Sequence, residues 1–151
     1  MRLQRYTFPT PAFKELVRQL DEYLAITDGD EHDFYDQYNG LEDIHHIVVA
    51  FEGEIAVACG AFKKFEEATK SAEIKRMFTH PDCRGKGLAS QVLRELENWA
   101  VEEGFDYLML ETGKRQPEAI ALYEKNGYQR IPNYGQYAQM ENSCCFGKSI
   151  G

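Results

Sequence analysis

Apolar residues return at two different periods along this chain, and the changes between them mark out the elements. Leu88, Val92, Leu93, Leu96, Trp99 and Ala100 recur at the spacing of one helix face, and Gly104 supplies a stop. Phe13, Leu16, Val17, Leu20, Tyr23 and Leu24 do the same behind Pro9 and Pro11, which open a helix. A further helix is predicted from Pro117, closed by Asn126-Gly127, and a shorter one near residues 31–38. Residues 72–79 alternate polar and apolar for much of their length, as a half-buried strand does, until Pro81 ends the run. Residues 2–8 read as a first strand. Residues 45–52 and 54–62, rich in Val, Ile and Ala around Glu52-Gly53-Glu54, read as a hairpin. Residues 107–111, 128–131 and 143–148 complete the strands.

Hairpins early and strand–helix alternation later predict an α+β (mixed α/β) layer rather than a purely alternating fold. The chain has 151 residues, the size of one domain, and its 43% apolar content is enough for a real core. We therefore expect a single domain over residues 1–151. No apolar run is long enough to span a membrane and no signal-peptide layout is present, so a cytoplasmic location is the default expectation. Cys59, Cys83, Cys144 and Cys145 have neither metal-site nor secreted-framework spacing and are read as reduced. A net charge of -8 argues against nucleic acid as partner and weakly for a cationic or amine-bearing one.

The chemistry concentrates in His80-Pro81-Asp82-Cys83-Arg84-Gly85-Lys86-Gly87-Leu88-Ala89, which joins a strand to a helix. The first N–H groups of a helix have no intrahelical partner and carry the positive end of its dipole, so they form an anion site. Gly85 and Gly87 let the backbone approach a phosphate closely, while Arg84 and Lys86 add positive charge. The two common phosphate loops are absent: there is no Gly-x-x-x-x-Gly-Lys-Ser/Thr and no third glycine for Gly-x-Gly-x-x-Gly. Cys83, in this loop, reads as a packed thiol more readily than as a reactive one. His45 and His46 have no further ligand at metal spacing, and no metal site is expected.

Arg84-x-x-Gly87-x-Ala89 resembles the acyl-CoA pyrophosphate loop of the GNAT superfamily of N-acetyltransferases, whose pattern is Gln/Arg-x-x-Gly-x-Gly/Ala. The later run from Gln116 to Tyr128 resembles that family's helix with Asn-x-x-Ala-x-x-Leu-Tyr leading into Gly-Phe/Tyr, with Gln116 where Asn is frequent. The two motifs stand in the family's order and spacing. The resemblance implies a mostly antiparallel sheet of about six to seven strands, splayed at the cofactor site and flanked by about four helices. It also implies acetyl-CoA as cosubstrate, held by Met77, Phe78, Thr79, Arg84, Gly85, Lys86, Gly87, Leu88, Ala89 and Gln116.

The implied reaction moves an acetyl group from a thioester to a primary amine by direct attack in a ternary complex. It needs a proton acceptor, oxyanion donors and a proton donor for the departing thiolate. Tyr123 matches the family's tyrosine and is the expected donor. The base is left open among Glu73, Glu111 and no dedicated residue. Phe34 and Tyr35, within the acidic and aromatic run of residues 28–38, together with Glu111 and Tyr134, are candidates for the acceptor pocket. A small-molecule amine is the expected acceptor, with a protein N-terminus or lysine, or a non-catalytic acyl-CoA-binding module, as alternatives. The last strands leave room for pairing in a homodimer.

Overall fold

The computed structural model describes residues 1–31, 40–41, 43–66, 68 and 70–151. Seven strands form one sheet: β1 (Arg2–Tyr6), β2 (His46–Glu52), β3 (Ile55–Lys64), β4 (Ser71–Thr79), β5 (Tyr107–Gly113), β6 (Gln129–Ile131) and β7 (Ser143–Ser149). Their order across the sheet is β1-β2-β3-β4-β5-β7-β6. Only β4 and β5 run parallel; the other neighbours are antiparallel. Three α-helices flank the sheet among the described residues: α1 (Pro11–Asp28), α2 (Leu88–Glu102) and α3 (Pro117–Lys125). Of the short helix predicted near residues 31–38, residues 32–38 lie outside the described residues. Glu31 closes a 3-10 turn, Gly29–Glu31.

Both faces of the sheet are covered, which explains why β2 is an unbroken apolar run. Val48 and Ala50 turn toward α2, in the cluster with Val92, Leu93, Leu96 and Phe146. Ile47, Val49 and Phe51 turn the other way, toward Phe13, Leu16, Val17 and Leu20 of α1. Helix α1 starts at Pro11 because Thr10 caps it, its Oγ1 accepting from the Phe13 N–H at 3.2 Å. Strand β1 stops at Tyr6, where its partner β2 begins, short of the predicted end at residue 8. Strand β5 outruns its predicted end by two residues, since β7 pairs with it as far as Gly113.

The register between β3 and β4 slips once. Cys59 faces Phe78, but Ala61 faces Lys75, so β4 carries one extra residue. Arg76 absorbs the irregularity with φ of 60°, a left-handed conformation that costs a side-chain-bearing residue roughly 1–3 kcal/mol. Gly60 lies opposite, between the two register pairs, and the Met77 thioether occupies the place its side chain would take. A methyl at Gly60 would meet Met77 Sδ and lie 2.9 Å from Leu96 Cδ1. Gly60→Ala should therefore lower unfolding stability by about 1–3 kcal/mol through overpacking, read as a reduced denaturation midpoint in urea. An unchanged midpoint would show that Met77 repacks at no cost.

Candidate active site

The parallel contact between β4 and β5 spans only three pairs: Ser71 with Tyr107, Ala72 with Leu108, and Glu73 with Met109. Beyond Glu73 the two strands diverge. Strand β4 stays with β3, and β5 stays with β7. Among the described residues the edge of β4 from Ile74 onward consequently has no strand partner on the β5 side, which leaves its main chain available to a ligand.

A cleft of about 480 Å³ opens at the divergence. Met77, Phe78, Thr79, Arg84, Gly85, Gly87, Leu88, Ala89 and Gln116 all line it, so the structure gathers nine of the ten cofactor residues expected from sequence. Lys86 does not line it; its Nζ points to Glu52 at 3.6 Å across the surface. Tyr23 of α1 and Ala119, Leu122 and Tyr123 of α3 add an apolar wall.

The loop ahead of α2 is shaped as an anion cradle. Gly85 and Gly87 have φ of 84° and 77°, and a Cβ at either would meet nothing within 4 Å. Gly87 is the N-cap residue, no side chain caps the helix, and no acidic residue stands in the first turn. The first intrahelical bond runs from the Gln91 N–H to the Gly87 carbonyl at 3.1 Å, so the N–H groups of the first turn have no backbone acceptor among the described residues. The loop is braced from behind: Arg84 Nε donates to the Thr79 carbonyl at 3.2 Å, and His80 Nδ1 accepts from the Asp82 N–H at 3.1 Å. An open, uncapped, acid-free helix start beside an unpaired strand edge fits a pyrophosphate followed by an amide-bearing arm.

Deeper in, a polar pocket of about 110 Å³ shares Leu20, Met77, Gln116, Ala119 and Tyr123 with the cleft. Glu73, Lys75 and Arg76 of β4, Glu111 of β5 and Asp28 of α1 bring charge to it. Two of the sequence candidates, Glu73 and Glu111, thus meet across the diverging strands, with Tyr123 on α3 where the two cavities join. Tyr134 takes part indirectly: its hydroxyl donates to Glu73 Oε2 at 2.8 Å while its ring packs on Phe65 and Tyr137. Phe34 and Tyr35 lie outside the described residues.

Burial sets the protonation of these groups. Desolvation pushes the Glu111 carboxyl up to about 7; Asp28 and Glu73 push the same way, while a hydrogen bond with Ser143 and the Lys75 charge oppose. Lys75 is lowered, chiefly by desolvation and despite Glu73. Tyr123, 5% exposed, is raised by burial and then by Glu111, so its hydroxyl keeps its proton at neutral pH.

Sequence reading missed Lys75 and Arg76. Arg76 carried a signal, since consecutive Lys75-Arg76 breaks the alternation of β4 at the bulge. Asp28 stands at the head of the acidic run 28–38 read from sequence as a candidate acceptor segment. It reaches the pocket because Arg115, between β5 and α3, holds the end of α1: Nη1 donates to the carbonyls of Thr27 and Asp28 at 3.1 and 2.9 Å. Helix α1 has no basic residue in its last turn, so Arg115 also meets its negative dipole end.

The sequence profile of the Acetyltransferase (GNAT) family matches residues 12–128. An IAA acetyltransferase of Azospirillum brasilense is 34% identical over 128 residues, which cover 83% of this chain and 82% of that one. A solved Klebsiella pneumoniae structure assigned to the acyl-CoA N-acyltransferases superimposes with a TM-score of 0.81 at 27% identity, covering 99% of this chain and 97% of that one. PaiA N-acetyltransferase of Thermoplasma acidophilum, solved with coenzyme A, shares the fold with a TM-score of 0.71 at 16% identity, covering 99% of each chain.

The Glu111 carboxyl yields a pH-dependent stability. Its folded pKa lies above the ordinary 4.5, so its contribution is fully present below pH 4.5 and is lost as pH rises through about 7. Relative to wild type, Glu111→Gln should gain about 1–2 kcal/mol between pH 5 and pH 8.5, after allowing for solvent in the pocket. Melting temperatures at the two pH values check this; a constant difference would mean that Glu111 is not desolvated.

Proposed function

The chain belongs to the acetyltransferase (GNAT) family, and from that premise we propose that it moves an acetyl group from acetyl-CoA to a primary amine of a small molecule. Transfer is by direct attack in a ternary complex within one domain, in the cytoplasm. The observation that carries this reading is the junction of the two cavities: the anion-cradling cleft ends at Tyr123, where the polar pocket with Glu111 begins.

Acetyl-CoA, when bound, supplies the thioester carbon that the amine attacks. The N–H groups at the start of α2 and around Gly85 and Gly87 hold its pyrophosphate, and Gln116 and the free edge of β4 face its amide-bearing arm. Glu111 takes the proton that the amine nitrogen gives up as the C–N bond forms. Of the two carboxylates named from sequence, Glu111 is given this role because a base titrating near 7 is ionised in a useful fraction at neutral pH. Glu73 already accepts from Tyr134 and lies 3.8 Å from the Lys75 ammonium, so it shapes the field of the pocket. The main chain of Met77 to Thr79 is the source of N–H donors for the oxyanion. As the C–S bond breaks, Tyr123 gives its proton to the sulfur and recovers one from solvent.

No covalent acyl-enzyme is needed. Cys59 and Cys145 are buried thiols pushed up to about 12 and about 11 by desolvation, unsuited to act as thiolates.

Thiol release from acetyl-CoA in the presence of amines tests the proposal. Tyr123→Phe should lower kcat about 10- to 100-fold while the dissociation constant for CoA changes less than about 2-fold. An unaffected kcat would remove Tyr123 as the proton donor. In wild type, kcat/KM should rise with pH through a limb near 7 that Glu111→Gln abolishes; a limb that survives would move the base elsewhere. Binding of acetyl-CoA without thiol release from any amine would leave a binding module in place of an enzyme.

A further inference from the structure

The polar pocket is lined by two cationic side chains, Lys75 and Arg76, whose hydrogen bonding is incomplete among the described residues. Lys75 is 9% exposed, and its Nζ lies 3.8 Å from Glu73 Oε2, beyond hydrogen-bond reach. The same Glu73 oxygen accepts from Tyr134. An ammonium has three N–H bonds to place, and among the described residues none reaches an acceptor on Lys75.

Arg76 is 5% exposed; one end of its guanidinium pairs with Asp21 of α1, but its Nε has no hydrogen-bond partner among the described residues. Asn142, 8% exposed, leaves its Nδ2 likewise without a partner. That atom stands over Gly113, 3.3 Å from where a Cβ would be, and Gly113 lines the pocket with Lys75 and Arg76. Buried donors without acceptors are costly and are uncommon in folded proteins. Two such atoms, one on a side chain that lines the cavity and one beside it, together with Lys75 on the same strand, indicate that acceptors arrive with a ligand.

We propose that the amine acceptor carries its own carboxylate, so that the substrate is a short amino acid bound with its amine toward Glu111 and Tyr123 and its carboxylate toward Lys75 and Arg76. The inference rests on the acetyltransferase reading of the site and narrows it.

A carboxylate brings two oxygens with about four acceptor positions, a complement to the donors of Lys75 and Arg76 that line the pocket. The amine meets the opposite charge: Glu111 and Glu73 stand on the two diverging strands, with Asp28 beyond them on α1. A zwitterion therefore matches a pocket lined by charges of both signs. A diamine or polyamine would face Lys75 and Arg76 with a second positive charge in a desolvated space, which is unfavourable. Size points the same way. About 110 Å³ is room for roughly four waters at about 30 Å³ each, the scale of a short amino acid.

Matched pairs of acceptors test this in the thiol-release assay at saturating acetyl-CoA. Alanine against alaninamide, β-alanine against propylamine, a diamine, and a peptide amide with a free N-terminus cover the classes. The expected result is a kcat/KM at least 10-fold higher for the free acids than for their carboxylate-free partners. Equal or faster turnover of the amide, the plain amine, the diamine or the peptide overturns the inference and leaves the transferase reading standing. Failure of every amine to release thiol, while acetyl-CoA still raises the melting temperature, overturns both.

Lys75→Met gives a second readout. It should raise KM for the amino acid about 10-fold or more, with a smaller effect on kcat, and bring the acid-to-amide ratio toward one. The thermal shift with acetyl-CoA reports that the variant is folded. A retained acid preference in a folded variant overturns the role of Lys75.

Discussion

Everything at this site depends on how briefly β4 and β5 pair. Three residues of parallel ladder bring the two halves of the sheet together, and then each strand follows its other neighbour. The gap cannot close by hydrogen bonding, because the bulge at Arg76 and the Met77 side chain, seated over Gly60, fix the path of β4. On the other side, seven register pairs with β7 hold β5. A break in a sheet normally exposes unsatisfied backbone at a cost. Here the same break provides main-chain groups that can serve a ligand, lined up with the uncapped start of α2 at one end and Tyr123 at the other.

The walls of the gap are held by interactions that span elements. Lys148 of β7 reaches Glu97 of α2 at 3.1 Å and the Asn126 carbonyl at the end of α3 at 2.9 Å, and Tyr128 donates to the same Glu97 at 2.9 Å. Asn126 Nδ2 donates to Ser90 Oγ, in the first turn of α2, at 3.1 Å. These bonds tie α3, which carries Tyr123, to the helix whose N-terminus forms the cradle. Arg115 does the equivalent for α1 on the acceptor side. Positioning to a fraction of an ångström matters for group transfer, because reacting atoms must be held close and aligned.

The two cavities differ in their electrostatics, and the difference follows from which residues line them. The outer cleft offers backbone N–H groups and an uncompensated helix dipole, suited to a ligand more negative than the protein's own net charge of -8 would favour. The inner pocket offers side-chain charge of both signs in a partly desolvated space. Neighbouring opposite charges lower the cost of burying each of them without removing it, as the raised Glu111 and lowered Lys75 show.

What the sequence alone determined was local: the loop with Gly85 and Gly87 ahead of a helix, Tyr123 on a short amphipathic helix, the Val-, Ile- and Ala-rich runs of β2 and β3, and the alternation of β4. These properties are carried by neighbouring residues, through φ freedom, capping and periodicity, and are legible without the fold. Glu73 and Glu111 were visible as charges on strands, but not as partners. Their meeting is set by the diverging register of β4 and β5. Asp28, Lys75 and Arg76 entered the pocket only through tertiary structure: a bulge and a helix end held by Arg115. Desolvation, which raises Glu111 and lowers Lys75, is a property of how distant segments enclose a space, and no single segment of the chain encodes it.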